Sequence, residues 1–251
     1  MSTATPRIRV REATSADARQ IADVQFEAFG PDVFNRLMYP AGDTEDSRQR
    51  FAAGLFPPET PEASKKEESI LTVAELLSEE VGPAEIVAFA RWIVRRQSRP
   101  EEEWNVPEPP RTAEQLGKGC DIEVFTYFIG ALHDKRREHT RGNPVVVLGV
   151  LASKRPRVGA GSALLEYGVK LADGLGLPIF LEASPKGYPL YRKFGYEDID
   201  FIDFPIADKY GAVQLEGENW GTNTGLTITE PAAKGVVRSV IMKRPAKVSA
   251  A

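Results

Sequence analysis

The stretch Pro144-Val-Val-Val-Leu-Gly-Val-Leu151 constrains the fold of this chain more than any other segment. A strand with one wet face alternates apolar and polar residues. A nearly unbroken apolar run of this length suits a strand covered on both faces, which requires helices packed above and below a sheet. A short basic stretch follows. From Gly159 to Leu175 the pattern changes to helical spacing, with Leu164, Leu165, Gly168, Leu171, Ala172 and Leu175 on one stripe. A second buried run, Pro178 to Ala183, comes next. Strand, glycine turn, helix and strand in succession define an α/β protein.

The flanking pattern extends that reading. Ile8 to Ala13 reads as a first strand, and Ser15 caps a helix carrying Ile21, Val24 and Ala28. A short helical turn is expected over Phe34 to Tyr39. Pro57-Pro58 through Lys66 reads as a polar loop. Ile70–Leu77 and Glu85–Val94 form the arms of a hairpin turning at 78–84. Arg95 to Gly119 is acidic and proline-rich, an insertion at about 95–120 with the composition of a solvated loop or lid. A helix over Glu123–His139, a short helix over Tyr188–Phe194 and strands over Tyr196–Phe204 and Val236–Lys243 complete the series. No internal repeat or linker divides the chain, so residues 1–251 are expected to form one domain with an elaborated middle.

Bulk properties exclude several function classes. A net charge of -4 argues against a general nucleic-acid binder. The N-terminus lacks the apolar core of a signal peptide, and no apolar run reaches membrane-spanning length. The lone Cys120 cannot form an internal disulfide. A reducing compartment fits, with the cytoplasm as the default and the nucleus left open. His133 and His139 are six apart on a charged helix, which does not put them on one face, so no metal site is expected.

The chemistry is concentrated where the first buried strand meets its helix. Val158-Gly-Ala-Gly-Ser162 places glycines at a helix start, where unpaired amides and the positive end of the helix dipole favour an anion. Lys154, Arg155 and Arg157 border it. The turn lacks the third glycine of a dinucleotide fingerprint and the Gly-Lys-Ser/Thr of a nucleotide loop. By itself it is either an anion site or a tight packing turn.

The following block changes this. Leu181-Glu-Ala-Ser184 leads into Gly187-Tyr-Pro-Leu-Tyr-Arg-Lys-Phe-Gly-Tyr196. Together with Val145–Leu151 and the glycine turn, it resembles the GNAT acetyltransferase superfamily, most closely its fungal-type members, over about a quarter of the chain. The resemblance implies a mixed, mostly antiparallel central sheet flanked by helices, with a splayed parallel strand pair. It implies acetyl-CoA as co-substrate and no metal. The pantetheine arm would lie along Val150 and Leu151, and the pyrophosphate on Arg157, Val158, Gly159, Ala160, Gly161 and Ser162, with Ser184 and Tyr188 completing the coenzyme contacts. Tyr191 stands where the family often places a tyrosine near the coenzyme sulfur, able to protonate the departing thiolate. Phe194 and Tyr196 read as packing.

A base must also deprotonate the amine. The strand Val145–Leu151 offers none, so Glu182 is the first candidate, although it reads more readily as a structural carboxylate bonded to nearby backbone. Glu27 and Asp32 are further options, as is a relay of water and backbone carbonyls. The acceptor implied is a primary amine of a small molecule. Phe29, Phe34, Tyr39, Tyr210 and Trp220 are possible aromatic walls, and Asp32, Asp203, Glu216 and Glu218 possible cation-attracting groups, each also readable as ordinary surface or core. A monomer or homodimer is expected, without nucleic-acid or membrane partners. Pro156 stands where the family commonly carries Gln or Arg, the approach to Gly159 is short, and Ser184-Pro185 replaces a frequent Asn. These departures motivate the alternative of a catalytically impaired acyl-CoA-binding protein. A nucleotide-binding protein using the same turn is a third reading.

Overall fold

The computed structural model describes residues 7–57, 67–77 and 84–247. Residues 58–66 of the expected polar loop and 78–83 of the expected hairpin turn lie outside the described residues. One sheet of seven strands organises the rest: β1 Arg7–Glu12, β2 Glu68–Leu77, β3 Glu85–Arg95, β4 Val145–Ser153, β5 Ile179–Ala183, β6 Glu197–Phe204 and β7 Val237–Arg244. Their order is β1-β2-β3-β4-β5-β7-β6. Every neighbouring pair is antiparallel except β4–β5, which is parallel. A parallel pair needs a crossover, and the helix α7, Ala160–Leu175, supplies it.

The helices sort onto two faces. On one, Leu164, Leu165 and Ala172 of α7 pack against Ala88, Ala90, Trp92, Val146, Leu148 and Leu181 of the sheet. Gly168 makes this close approach possible: a Cβ there would fall 2.0 Å from Trp92 Cη2. The indole is fully buried, and its Nε1 donates to Thr72 Oγ1 at 3.2 Å. On the opposite face, α1 (Ala18–Phe29) sets Ile21 and Val24 against Leu71, Val73, Ile86 and Phe89. Beside it lies the long helix α6, Ile122–Thr140, whose His139 ring stacks on Phe180 of β5 at 6.4 Å. Asp121 caps α6 by accepting from Val124 N at 3.0 Å.

Smaller elements fill the connections. Asp32 caps α2, Val33–Met38. Helix α3, Glu45–Ala53, was not expected from the hydrophobic pattern, because it buries only Ser47 and carries no apolar stripe. Its one aromatic anchor is Phe51, edge-on to Phe26 and Phe89, and it is further held by its Thr44–Ser47 capping box and by Arg48, which bridges Asp23 at 2.8 Å and Asp43 at 2.6 Å. The proline-rich insertion contains two short turns of helix, α4 Glu101–Trp104 and α5 Ala113–Leu116, and leads directly into α6. Helices α8 (Tyr188–Lys193) and α9 (Ile206–Tyr210) follow β5 and β6. No described helix is long and apolar enough to cross a membrane.

Candidate active site

The site begins as a failure of pairing. Strands β4 and β5 register at Val146–Ile179, Val147–Phe180 and Leu148–Leu181, and no further. Past that point β4 continues to Ser153, while Glu182 and Ala183 of β5 pair only with Ile241 and Val240 of β7. Two features open the fork. The strand β5 is only five residues long. The strand β4 carries an extra residue, because Arg91 and Trp92 of β3 face Val150 and Leu148, leaving Gly149 as a bulge. A bulge bends its strand and increases the local twist. The segment from Gly149 to Ser153 therefore presents a sheet edge without a strand beside it. Val150 and Leu151 lie on that edge, their side chains joining the α1-side and α7-side clusters respectively.

At the top of this edge the chain turns into α7. Gly159 adopts φ +86, open to glycine at no steric cost, and acts as N-cap. The N–H groups of Gly159, Ala160, Gly161 and Ser162 donate to no backbone or side-chain acceptor among the described residues; Ala163 makes the first bond, to Gly159 O at 3.0 Å. Four free amides at the positive end of a sixteen-residue helix form a cup of the kind that suits an anion. Arg157 precedes them with φ +67, an uncommon conformation for a residue bearing a Cβ. Two of the three basic side chains bordering the turn are turned away. Lys154 Nζ and Arg155 Nη2 both pair with Glu85, at 3.1 and 3.2 Å. Pro156 withdraws no donor from the cup, since it lies before Gly159.

Tyr191 sits in the first helix after β5, with its ring against Gly187: a Cβ on Gly187 would be 2.8 Å from Tyr191 Cε2 and 3.2 Å from its hydroxyl. The residue is buried at 7% exposure and lies edge-on to Tyr196, ring centroids 5.9 Å apart. Burial, reinforced by the nearby Glu182 carboxylate, pushes its hydroxyl well above the usual tyrosine range, so it holds its proton throughout neutral pH. Phe194 and Tyr196 pack into the same apolar cluster. Ser184 Oγ accepts from Gly187 N at 3.2 Å and so shapes the turn leading to Tyr191. The Tyr188 hydroxyl donates to Asp198 at 2.9 Å, pointing its polar end at β6.

Glu182 occupies the opposite face at the fork. Arg136 of α6 grips both of its oxygens, Nε to Oε1 at 2.9 Å and Nη2 to Oε2 at 2.8 Å. Their side chains are 12% and 4% exposed, so this is a buried bidentate pair. Asp32 is engaged more lightly, accepting from Phe34 N at 3.0 Å. Burial, with help from Glu218, raises its carboxyl above the usual range, while Arg36 and Lys186 oppose the shift. Glu218 itself is held by Arg36, at 3.0 Å.

The expected aromatic walls divide. Phe34 stacks on Phe128 at 3.8 Å and meets Phe204 edge-on, and Trp220 is 3% exposed in the same cluster. Those two side chains are core. Tyr210 is partly exposed at its margin, and Tyr39, also partly exposed, meets Phe26 of α1 edge-on at 5.8 Å. The histidines are also occupied separately: His133 Nδ1 lies 2.7 Å from Glu108, and His139 Nε2 lies 2.8 Å from Asp200. Glu138, His139 and Asp200 bring ligand-type atoms within 4.8 Å of one another, but Lys135 Nζ already bridges the two carboxylates, at 3.0 and 2.7 Å.

The sequence matches no family model and no curated relative. Solved structures with this fold are nevertheless recognisable. One, described as histone acetyltransferase HPA2 and related acetyltransferase from Corynebacterium glutamicum, is 20% identical, with 98% of this chain and 99% of that chain covered and a TM-score of 0.51. Arylalkylamine N-acetyltransferase 2 from Aedes aegypti is 13% identical, with 95% and 99% covered and a TM-score of 0.50. The C-terminal condensation domain of Ebony, solved with beta-alanyl-dopamine, is 11% identical, with 95% and 99% covered and a TM-score of 0.51. At these identities the likeness is one of fold. The chain has the mixed α/β fold of GCN5-related acetyltransferases, mostly antiparallel with one splayed parallel pair.

Proposed function

We propose that this protein is an acetyl-CoA-dependent N-acetyltransferase acting on a primary amine of a small molecule. The observation that carries the reading is the open edge of β4 ending at the free amides of α7. That combination fits an elongated ligand with an amide-bearing arm and a diphosphate. Val150 and Leu151 would hold the arm by backbone bonds, and Gly159 to Ser162 the diphosphate, with Arg157 adding charge. Bound acetyl-CoA would supply the acetyl group activated as a thioester.

The chain's own residues would manage protons and position. Tyr191, buried and still protonated at neutral pH, is suited to give its proton to the leaving thiolate; its hydroxyl is not committed to a charged partner. Glu182 is a poor base, because a proton arriving there would break the bidentate bond to Arg136 and leave a buried cation unpaired. Asp32 is better placed for the amine. It caps α2 and lies within electrostatic range of Lys186 in the β5–α8 turn, and burial raises its proton affinity above that of an ordinary aspartate, the direction a base requires. Attack is direct, from the α1–α6 side of the sheet, and no covalent acyl-protein species is invoked.

Calorimetric titration with acetyl-CoA, CoA and ATP tests the reading. Binding of both CoA forms without ATP, followed by amine-dependent release of free CoA, is the expected result. Binding without turnover on any amine would favour an acyl-CoA-binding protein, and no binding at all would remove the premise.

A further inference from the structure

Arg91 is the one arginine on the sheet's α1–α6 face, among the described residues, that is half-buried and has no acid in contact. It lies on β3 directly opposite Val150, beside the Gly149 bulge where the fork opens. Alternation along β3 puts it on the same face as Phe89 and Ile93, away from α7. Its only hydrogen bond among the described residues runs from Nε to Ser69 Oγ at 2.9 Å. The contrast with its neighbours is sharp. Arg136 has Glu182, and Arg95 has Glu67 at 2.8 Å. Burial weakens the guanidinium's hold on its proton; Glu67 opposes this from beyond contact distance, while the like charges of Arg111 and Arg136 add to it. Arg91 thus keeps its charge near Arg136, which is itself taken by Glu182, with no acid in contact among the described residues.

From this placement we propose that Arg91 binds an anionic group of the acceptor, a carboxylate, so that the substrate is an amino acid-like molecule rather than a plain amine. The inference rests on the acetyltransferase reading. Arginine's planar fork matches a carboxylate, and two of its nitrogens remain unbonded for the purpose. Arg91 sits on the strand next to the open edge and its guanidinium reaches toward Ser69 of β2, so amine and carboxylate would be separated by about 10 Å, two strand spacings. An ω-amino acid spans that distance.

The test compares matched probes with the full chain saturated in acetyl-CoA: 4-aminobutanoate against propylamine, 6-aminohexanoate against pentylamine, and lysine against cadaverine. Acetylation rates and thermal stabilisation of the CoA-saturated protein are read in parallel. At least one carboxylated member should be preferred by about tenfold or more, the scale of one charge-assisted hydrogen bond. Arg91→Met should erase that preference by raising KM, with acetyl-CoA binding unchanged by calorimetry, and Arg91→Lys should restore part of it. If the protein binds acetyl-CoA but no carboxylated probe is acetylated faster or stabilises more than its partner, the inference is overturned. Retention of the preference in Arg91→Met overturns it equally. Failure of the wild type to bind acetyl-CoA overturns the parent reading and this one with it.

Discussion

The two faces of the sheet are finished in different ways. Against α7 the surface is apolar and close-packed, built on Trp92, Leu148, Leu181 and Leu164, with Tyr191 buried in the same cluster. Against α1 and α6 the same level of the sheet carries charge: Arg91 on β3, Glu182 on β5 and Arg136 reaching down from α6. The fork between β4 and β5 joins these environments. An apolar wall can hold a neutral proton donor at raised pKa, whereas a charged basin can bind and orient a polar acceptor. The difference teaches that a single break in strand pairing can place two unlike chemistries within reach of one ligand.

The largest expected effect tests the apolar side. Tyr191→Phe removes one oxygen and leaves the packing intact, so kcat should fall about 10²–10⁴-fold, as for loss of a general acid, with acetyl-CoA affinity unchanged. Steady-state kinetics beside calorimetry would show it; full turnover in this variant would assign the proton to another donor. On the charged side, Arg136→Met leaves the Glu182 carboxylate buried and alone. Urea unfolding should register a loss of about 3–5 kcal/mol, and the double change Arg136→Met with Glu182→Leu should recover much of it. An equal loss in the double variant would mean that α6 docking, not charge pairing, sets the stability.

Smaller effects refine the picture. Gly168→Ala drives a methyl into the Trp92 ring, and overpacking of this kind costs about 1–3 kcal/mol. A change below that range, measured by thermal unfolding, would show that the apolar face yields more than its packing suggests. The mildest effect is confined to acid and lies at the sheet's far edge. The hydrogen bonds from Arg11, opposed by burial and aided by Thr14, lower the Asp17 carboxyl from 3.8 to about 2. A carboxyl whose folded pKa is depressed adds stability above its unfolded pKa. That contribution should be complete above about pH 4 and vanish as pH falls toward 2. In Asp17→Asn this part of the acid titration should flatten.

Much of the scaffold was legible in the chain itself. The apolar run of β4, the leucine stripe of α7 and the glycines between them specify strand, turn and helix through local periodicity alone. The expected strands lie within two residues of those observed. What escaped was whatever local periodicity does not encode. Helix α3 is held by capping, ion pairs and the single anchor Phe51, with no apolar stripe to announce it. Phe34 and Trp220 look alike as core or as pocket walls until their neighbours are known, and Phe128 and Phe204 settle that they are core.

By itself, then, the sequence determined an α/β chain with an anion-ready turn between a doubly covered strand and its helix, because strand and helix periods and glycine's backbone freedom act over a few residues. Tertiary structure decided where pairing stops. The fork depends on the shortness of β5 and on the register shift at Gly149, both of which exist only relative to a neighbouring strand. It also decided which charges are spoken for. Glu182 meets an arginine 46 residues away, and Arg91 meets no acid among the described residues, and neither fact is local.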